Sequence, residues 1–236
     1  MGTKEIINTV AHRPWPVPKK KWKFYQEWNG TIFLHWQVDL AGLQKFVPPQ
    51  FEIDLFDGKP WISLVAFTVQ DMRPHYFPNI FSFLDFHEVN FRTYVHVRGK
   101  TGVYFLSIEG SKRISCNLAK MATQLPYRYS EMERTGNAFL SRNSQYGEHM
   151  DLQYGIGETL EKKEIDVWLT ERYALFQDSN NSMHKFEVHH IAWPLFRLQI
   201  KKIALHYPRF EKLVGHPPNR THYSPGVAAL VWGKDE

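Results

Sequence analysis

The chain has 236 residues, 43% of them hydrophobic, a formal charge of +5 and one cysteine, Cys116. No apolar run approaches the ~20 residues of a membrane span, a lone cysteine excludes an intrachain disulfide, and outside Lys19, Lys20 and Lys21 the charge is dispersed, with no nucleic-acid-binding motif beside it. The expectation is a cytoplasmic chain with no nucleic-acid or membrane partner, forming one domain over 1–236 with 1–22 as a solvated N-terminal arm.

Strand signals dominate the first half. "TIFLHWQV" (31–38) alternates, with Ile32, Leu34, Trp36 and Val38 on one face and Thr31, Phe33, His35 and Gln37 on the other. "AGLQKFVPP" (41–49) reads as a short helix stopped by Pro48 and Pro49, and 51–69 as a hairpin around Asp57-Gly58, a pair that tolerates positive φ. After a Pro-bearing connection comes "HEVNFRTYVHV" (87–97), with His87, Val89, Phe91, Thr93, Val95 and Val97 on a core face and Glu88, Asn90, Arg92, Tyr94 and His96 on a polar one. "RGKTG" (98–102) turns this strand into "VYFLSIEG" (103–110). Over 113–125 the period becomes helical, placing Ile114, Leu118, Met121 and Leu125 in a stripe expected to cover the sheet, and Pro126 ends it.

Further strands are expected at "YRYSEME", "NAFLSRNSQY" and "MDLQYGIG". A second helix starts near Thr159 and carries Ile165, Trp168 and Leu169; strands resume at "RYALFQ", "KFEVHHIAW" and "LQIKKIALHY", with a short helix at "PRFEKLVG" and a last strand at "GVAALVWG". Hairpins with few helices indicate an α+β fold: a curved, mainly antiparallel, barrel-like sheet with packed helices. Where the inner face of such a barrel is too wide to fill with side chains, it becomes a ligand cavity.

Familiar catalytic patterns are absent. There is no His-Glu-x-x-His pair and no Cys/His cluster at ligand spacing, and His189 and His190 would point to opposite faces of a strand, so neither a metal nor a cofactor is expected. The chain also lacks a Gly-x-Ser-x-Gly elbow and a Gly-x-Gly-x-x-Gly loop; Cys116 reads as an inert thiol, and Lys120 lies about 200° around the helix from Leu118, on the solvent side. The polar face of 87–97 holds groups able to bind a carboxylate, polarise a carbonyl or move a proton. Composition alone equally describes a solvated strand face with ion pairs, and favours it.

The motifs "RPWPVP" (13–18), "LHWQV" (34–38), "FDGKPWISLVAF" (56–67), "HEVNFRTYV" (87–95), "LPYRYSEM" (125–132), "LTERYALF" (169–176) and "VHHIAWPL" (188–195) resemble, in order and spacing, the YqjF-like family of uncharacterised conserved proteins. The resemblance implies a fold similar to acetoacetate decarboxylase, with a curved β-structure around a central cavity. Those enzymes form a Schiff base on a lysine that follows a proline; here the matching position after Pro126 is Tyr127, which implies that the amine is missing, while Glu88 matches a cavity glutamate. Several readings stay open. One is a pocket for a small carbonyl, carboxylate or aromatic compound, lined by His35, Trp36, Asn90, His189 and Trp193 and working without Schiff-base chemistry. Another is a lyase or hydrolase in which Glu88 is acid or base, Arg92 holds an anionic group and Tyr127 or His35 donates to an oxyanion. A homo-oligomeric scaffold, in which Glu88 and Arg92 only organise their strand, is the third.

Overall fold

The structure, a computed structural model, describes residues 2–75, 85–179 and 182–234. In chain order the elements are α1 (Thr3–Asn8), β1 (Phe24–Gln37), α2 (Leu40–Gln44), β2 (Glu52–Ile53), β3 (Trp61–Pro74), β4 (Phe86–Val97), β5 (Lys100–Gly110), α3 (Arg113–Thr123), β6 (Tyr127–Tyr129) and β7 (Glu131–Thr135). There follow β8 (Ala138–Asn143), β9 (Glu148–Thr159), α4 (Glu164–Thr170), β10 (Ala174–Ser179), β11 (Ser182–His190), β12 (Phe196–His206), α5 (Glu211–Val214) and β13 (Arg220–Val231). The Pro-bearing connection before β4 lies largely outside the described residues.

The strands join into one sheet that closes on itself. Its path runs β1-β3-β4-β5-β10-β11-β13, and β13 pairs back onto β1 from Phe24↔Val231 to His35↔Arg220, making a barrel-like ring. From β13 the sheet continues outward through β12, β9, β8 and β7. Neighbours around the ring are antiparallel except at β5–β10, a parallel seam with only Leu175↔Val103 and Phe176↔Tyr104 in register. At that seam Gly102 allows a close approach: a Cβ there would sit 2.5 Å from the Ala174 carbonyl oxygen.

Strand alternation decides what each side of the ring does. Outward residues such as Leu34 and Trp36 of β1, Leu64 of β3 and Phe91 and Val95 of β4 form the largest core with Phe139, Leu152 and Tyr154 of the outer strands and Phe210 and Leu213 near α5. Each such buried side chain contributes about 1.5–3 kcal/mol. The largest share of the hydrophobic driving force therefore sits between two β layers, outside the ring, with smaller clusters around Phe33 and Phe67 and around Val103 and Phe186 on its inner side.

Several local expectations change. Asp57 (φ +50°) and Gly58 (φ +73°) do form a tight turn closed by the Phe56–Lys59 bridge. The flanking segments do not pair with each other, because Pro60 has no amide to extend the ladder; β2 pairs instead with β4, Ile53 opposite Val95. The second helix begins at Glu164 rather than near Thr159, which remains in β9 opposite Phe196, and the Asp166 carboxylate accepts from the Lys163 amide (2.9 Å) to start it. The arm is not solvated along its length: Ile6 is fully buried against Leu230 and Trp232, and Arg13 reaches Glu187, which also accepts from Trp15 Nε1 (2.8 Å). Lys19, Lys20 and Lys21 are exposed.

Helix α3 turns half of its apolar stripe away from the sheet. Ile114 is 66% and Met121 80% exposed, while Ser115 and Cys116 are buried. Leu118 and Leu125 of the stripe do line the hollow inside the ring, together with the small side chains of Ala119, Ala122 and Thr123, so the stripe is split between cavity and solvent.

Candidate binding site

The ring encloses a cavity of about 400 Å³. Its walls are largely aromatic: Trp28 and Phe33 from β1, Phe67 from β3, Phe86 from β4, Phe105 from β5, Phe186 from β11 and Trp193. Phe33 meets Trp193 edge-on (5.2 Å), and Trp28 lies parallel to Trp193 (6.1 Å). Such a surface suits an apolar or aromatic body.

The polar lining comes chiefly from β4. Spacing of two along this strand puts Glu88, Asn90 and Arg92 side by side on the inner wall, with Val89 and Phe91 in the outer core. Glu88 is 4% exposed and accepts from Tyr127 Oη (2.8 Å) and Asn90 Nδ2 (3.0 Å). Tyr127 is delivered by β6, which pairs in parallel with β5 at Ile108↔Tyr127 directly after Pro126. Burial raises the Glu88 carboxyl to about 7, against the hydrogen bonds from Tyr127 and Asn90 and the nearby Arg92 charge. The Tyr127 phenol is pushed well above its ordinary range by burial and by Glu88, so it remains a donor.

Two polar atoms in this cluster have no protein partner among the described residues. Asn90 Oδ1 and Arg92 Nε are both buried without a hydrogen bond. The Arg92 guanidinium donates from Nη2 to the Leu169 carbonyl at 3.3 Å and lies 5.7 Å from the Phe33 ring. Buried groups of this kind cost free energy until something satisfies them.

The remaining residues named from the sequence separate. Trp193 is a cavity wall, its amide held by Glu171 Oε1 (2.9 Å). Trp36, on the opposite face of β1, lies in the outer core and donates to the His216 carbonyl (2.7 Å). His189 faces the N-terminal arm, hydrogen-bonded to the Ile6 carbonyl (2.9 Å). His35 shares the inward face of β1 but is fully buried off the cavity, joined to Ser63 Oγ (2.6 Å) and His222 Nδ1 (3.0 Å); His222 in turn meets Asp166 (3.0 Å). Burial holds both imidazoles below their ordinary range, His35 strongly. Cys116 is buried with its thiol pushed up to about 11.

Among the lining residues missed from the sequence, two carry ionisable side chains. His190 occupies the wall that its neighbour His189 does not, and the alternation Phe186, Val188, His190 along β11 carried that signal. Arg172, bound to Asp54 (2.7 Å) and the Trp168 carbonyl (2.6 Å), follows α4 in a short connection where no periodicity reports direction. Among the described residues no lysine lines the cavity, and no cluster of three or more His, Cys, Asp or Glu could hold a metal.

A family model described as DUF2071, an uncharacterized conserved protein, matches residues 25–228. The chain belongs to this family. Within it, the uncharacterized protein YqjF of Bacillus subtilis (strain 168) is 36% identical over 187 residues, covering 76% of this chain and 77% of YqjF. Among solved structures, acetoacetate decarboxylase from Legionella pneumophila is similar with a TM-score of 0.67 at 13% identity, over 97% of this chain and 94% of that one. The enduracididine biosynthesis enzyme MppR, solved with pyruvate, is similar with a TM-score of 0.64 at 10% identity, over 94% and 92% of the two chains. At these identities the likeness concerns fold: this DUF2071 member has the decarboxylase-like, barrel-like architecture.

Proposed function

We propose that this protein binds a small carbonyl, carboxylate or aromatic compound in the ring cavity, without Schiff-base chemistry. The observation that carries the reading is the unsatisfied Arg92 Nε and Asn90 Oδ1 beside Glu88, in a cavity otherwise walled by aromatic rings. A ligand oxygen would satisfy Arg92, and the rings would cover its body. Tyr127 stands where the resemblance would place the lysine, and the lining residues offer no amine. Pyruvate in MppR is a ligand of the same chemical class. A cytoplasmic setting belongs to this reading and rests on the lone Cys116; no helix among the described residues is long and apolar enough to cross a membrane.

A second reading is a lyase or hydrolase, favoured by one observation: Glu88 at about 7 is balanced between acid and base at neutral pH. Arg92 would then hold the substrate's anionic group and Tyr127 would donate to the developing oxyanion.

The test is a thermal-shift and calorimetric screen of keto acids, quinones and phenols against the wild-type, Glu88→Gln and Arg92→Ala proteins. Acidic and carbonyl hits should weaken in the Arg92 variant. Hits indifferent to both substitutions would move the site elsewhere, and turnover of any hit would select the enzymatic reading.

A further inference from the structure

His190 is a polar group of the lining that lies outside the Glu88 cluster. Its ring is 1% exposed, packs against Trp193 (5.2 Å), Tyr173 (4.9 Å) and Trp28 (5.9 Å), and its Nδ1 lies 2.7 Å from the Ile191 carbonyl oxygen. A carbonyl only accepts, so Nδ1 carries the hydrogen, and the neutral ring then leaves Nε2 as a bare acceptor. Burial keeps the imidazole neutral, its pKa lowered to about 4.

The nearest carboxylate does not occupy that acceptor. Glu171 is committed to Lys162 (2.8 Å), the Trp193 amide (2.9 Å) and Tyr173 Oη (2.7 Å), and as an acceptor it has no hydrogen to offer. Nε2 has no hydrogen-bond partner among the described residues, and the ring belongs to the cavity wall. The backbone also fixes the ring from behind, since the His190 carbonyl accepts from His12 Nε2 (2.7 Å).

Topology sets this acceptor apart from the Arg92 cluster. Along the ring, β4 and β11 are separated by β5 and β10 on one side and by β3, β1 and β13 on the other, so the two strands face each other across the cavity. For strands ~4.8 Å apart and tilted ~40°, such a ring is on the order of 14 Å between opposing backbones. A ligand that met both groups would therefore have to reach from one wall of the cavity to the other.

We infer that His190 is a specificity-determining residue, its Nε2 accepting a hydrogen bond from the ligand, and that the cavity selects aryl acids carrying a hydroxyl or amine at the end away from their carboxyl. This rests on the reading of Arg92 as the acid-binding end. A ligand without the donor strands a buried acceptor, which is penalised more heavily than a missing apolar contact.

The experiment is calorimetry on the full chain with phenylpropanoate, its meta-hydroxy and para-hydroxy ring derivatives, and their methyl ethers. The better hydroxy acid should bind roughly tenfold tighter than the parent acid and the ether. His190→Gln, whose amide oxygen can accept from the same direction, should keep that preference, and His190→Phe should erase it. If His190→Phe does not fold, the wild-type Nε2 nitrogen resonance serves instead, shifting with the hydroxy acid and not with its ether. Equal affinities in the wild-type protein, or a preference that persists in His190→Phe, overturn the assignment while Arg92-dependent binding of all the acids preserves the broader reading. Binding of none of them overturns both.

Discussion

Tyr127 donates its phenolic hydrogen to Glu88 Oε2 at 2.8 Å, so the residue after Pro126 holds the cavity's carboxyl instead of supplying an amine. Tyr127→Phe should remove a hydrogen bond that favours the carboxylate, moving the Glu88 midpoint above 7, and cost about 1 kcal/mol of stability. Carboxyl-region infrared titration of the two proteins reads the first effect and urea unfolding the second. A lower midpoint in the variant would contradict the assigned geometry.

Ligand carboxylates and an ionised Glu88 repel each other, so binding favours the protonated form. Affinity for an aryl acid should fall as pH rises through about 7, and Glu88→Gln should bind with little pH dependence across that range. The same proton affects folding: the Glu88 pKa is higher in the native state than in the unfolded chain, so its stabilising contribution is present in full below the unfolded value near 4.5 and is lost as pH rises through 7. Relative to wild type, Glu88→Gln should gain up to about 3 kcal/mol between pH 4.5 and pH 8, measured by denaturant midpoints. A constant gap between the two proteins would rule this out.

Arg92 is a buried cation without full hydrogen bonding, a feature expected of a site kept for binding rather than for stability. Arg92→Met should be as stable as the parent or up to about 2 kcal/mol more so, while acidic ligands lose affinity by tenfold or more. Destabilisation by several kcal/mol would instead mark Arg92 as part of the scaffold.

Much of this site was legible in the alternation of residues 87–97, because a strand has only two faces and the apolar one identifies the other. Periodicity does not say whether that second face meets water or an enclosed hollow, since closure depends on β13 returning to β1 some 200 residues along the chain. The same limit explains α3. Its apolar stripe read as inward-facing throughout, yet the helix presents Leu118, Ala119, Ala122 and Thr123 to the hollow, with Leu125 just beyond its end, and leaves Ile114 and Met121 outside. His189 lies beside the cavity-lining His190, and Trp36 beside the inward-facing His35, so a one-residue change of parity separates the inner face from the packing behind it.

The parallel seam closes the ring through very few pairs. Gly102→Ala should force the Ala174 carbonyl and the Phe176 ring to move, costing about 2–3 kcal/mol in urea unfolding and weakening every cavity ligand together. Unchanged stability would show that the seam yields easily.

Treatment with acetoacetate and borohydride should leave the intact mass unchanged, as the lining residues include no lysine among those described. A lysine adduct mapped to the cavity would overturn the absence of Schiff-base chemistry.

The separation of the outer core from the inner wall has a further consequence. Because Leu34, Leu64 and Phe91 anchor the ring from outside, the polar inward positions Glu88, Asn90 and Arg92, which lie outside the hydrophobic clusters of the described residues, can change chemistry without removing an apolar core contact. The outward set of alternate residues is a chassis by physical necessity, and the polar inward positions are an exchangeable surface. Two chains can thus share this ring at 13% identity, which leaves the chemistry of each cavity free to differ.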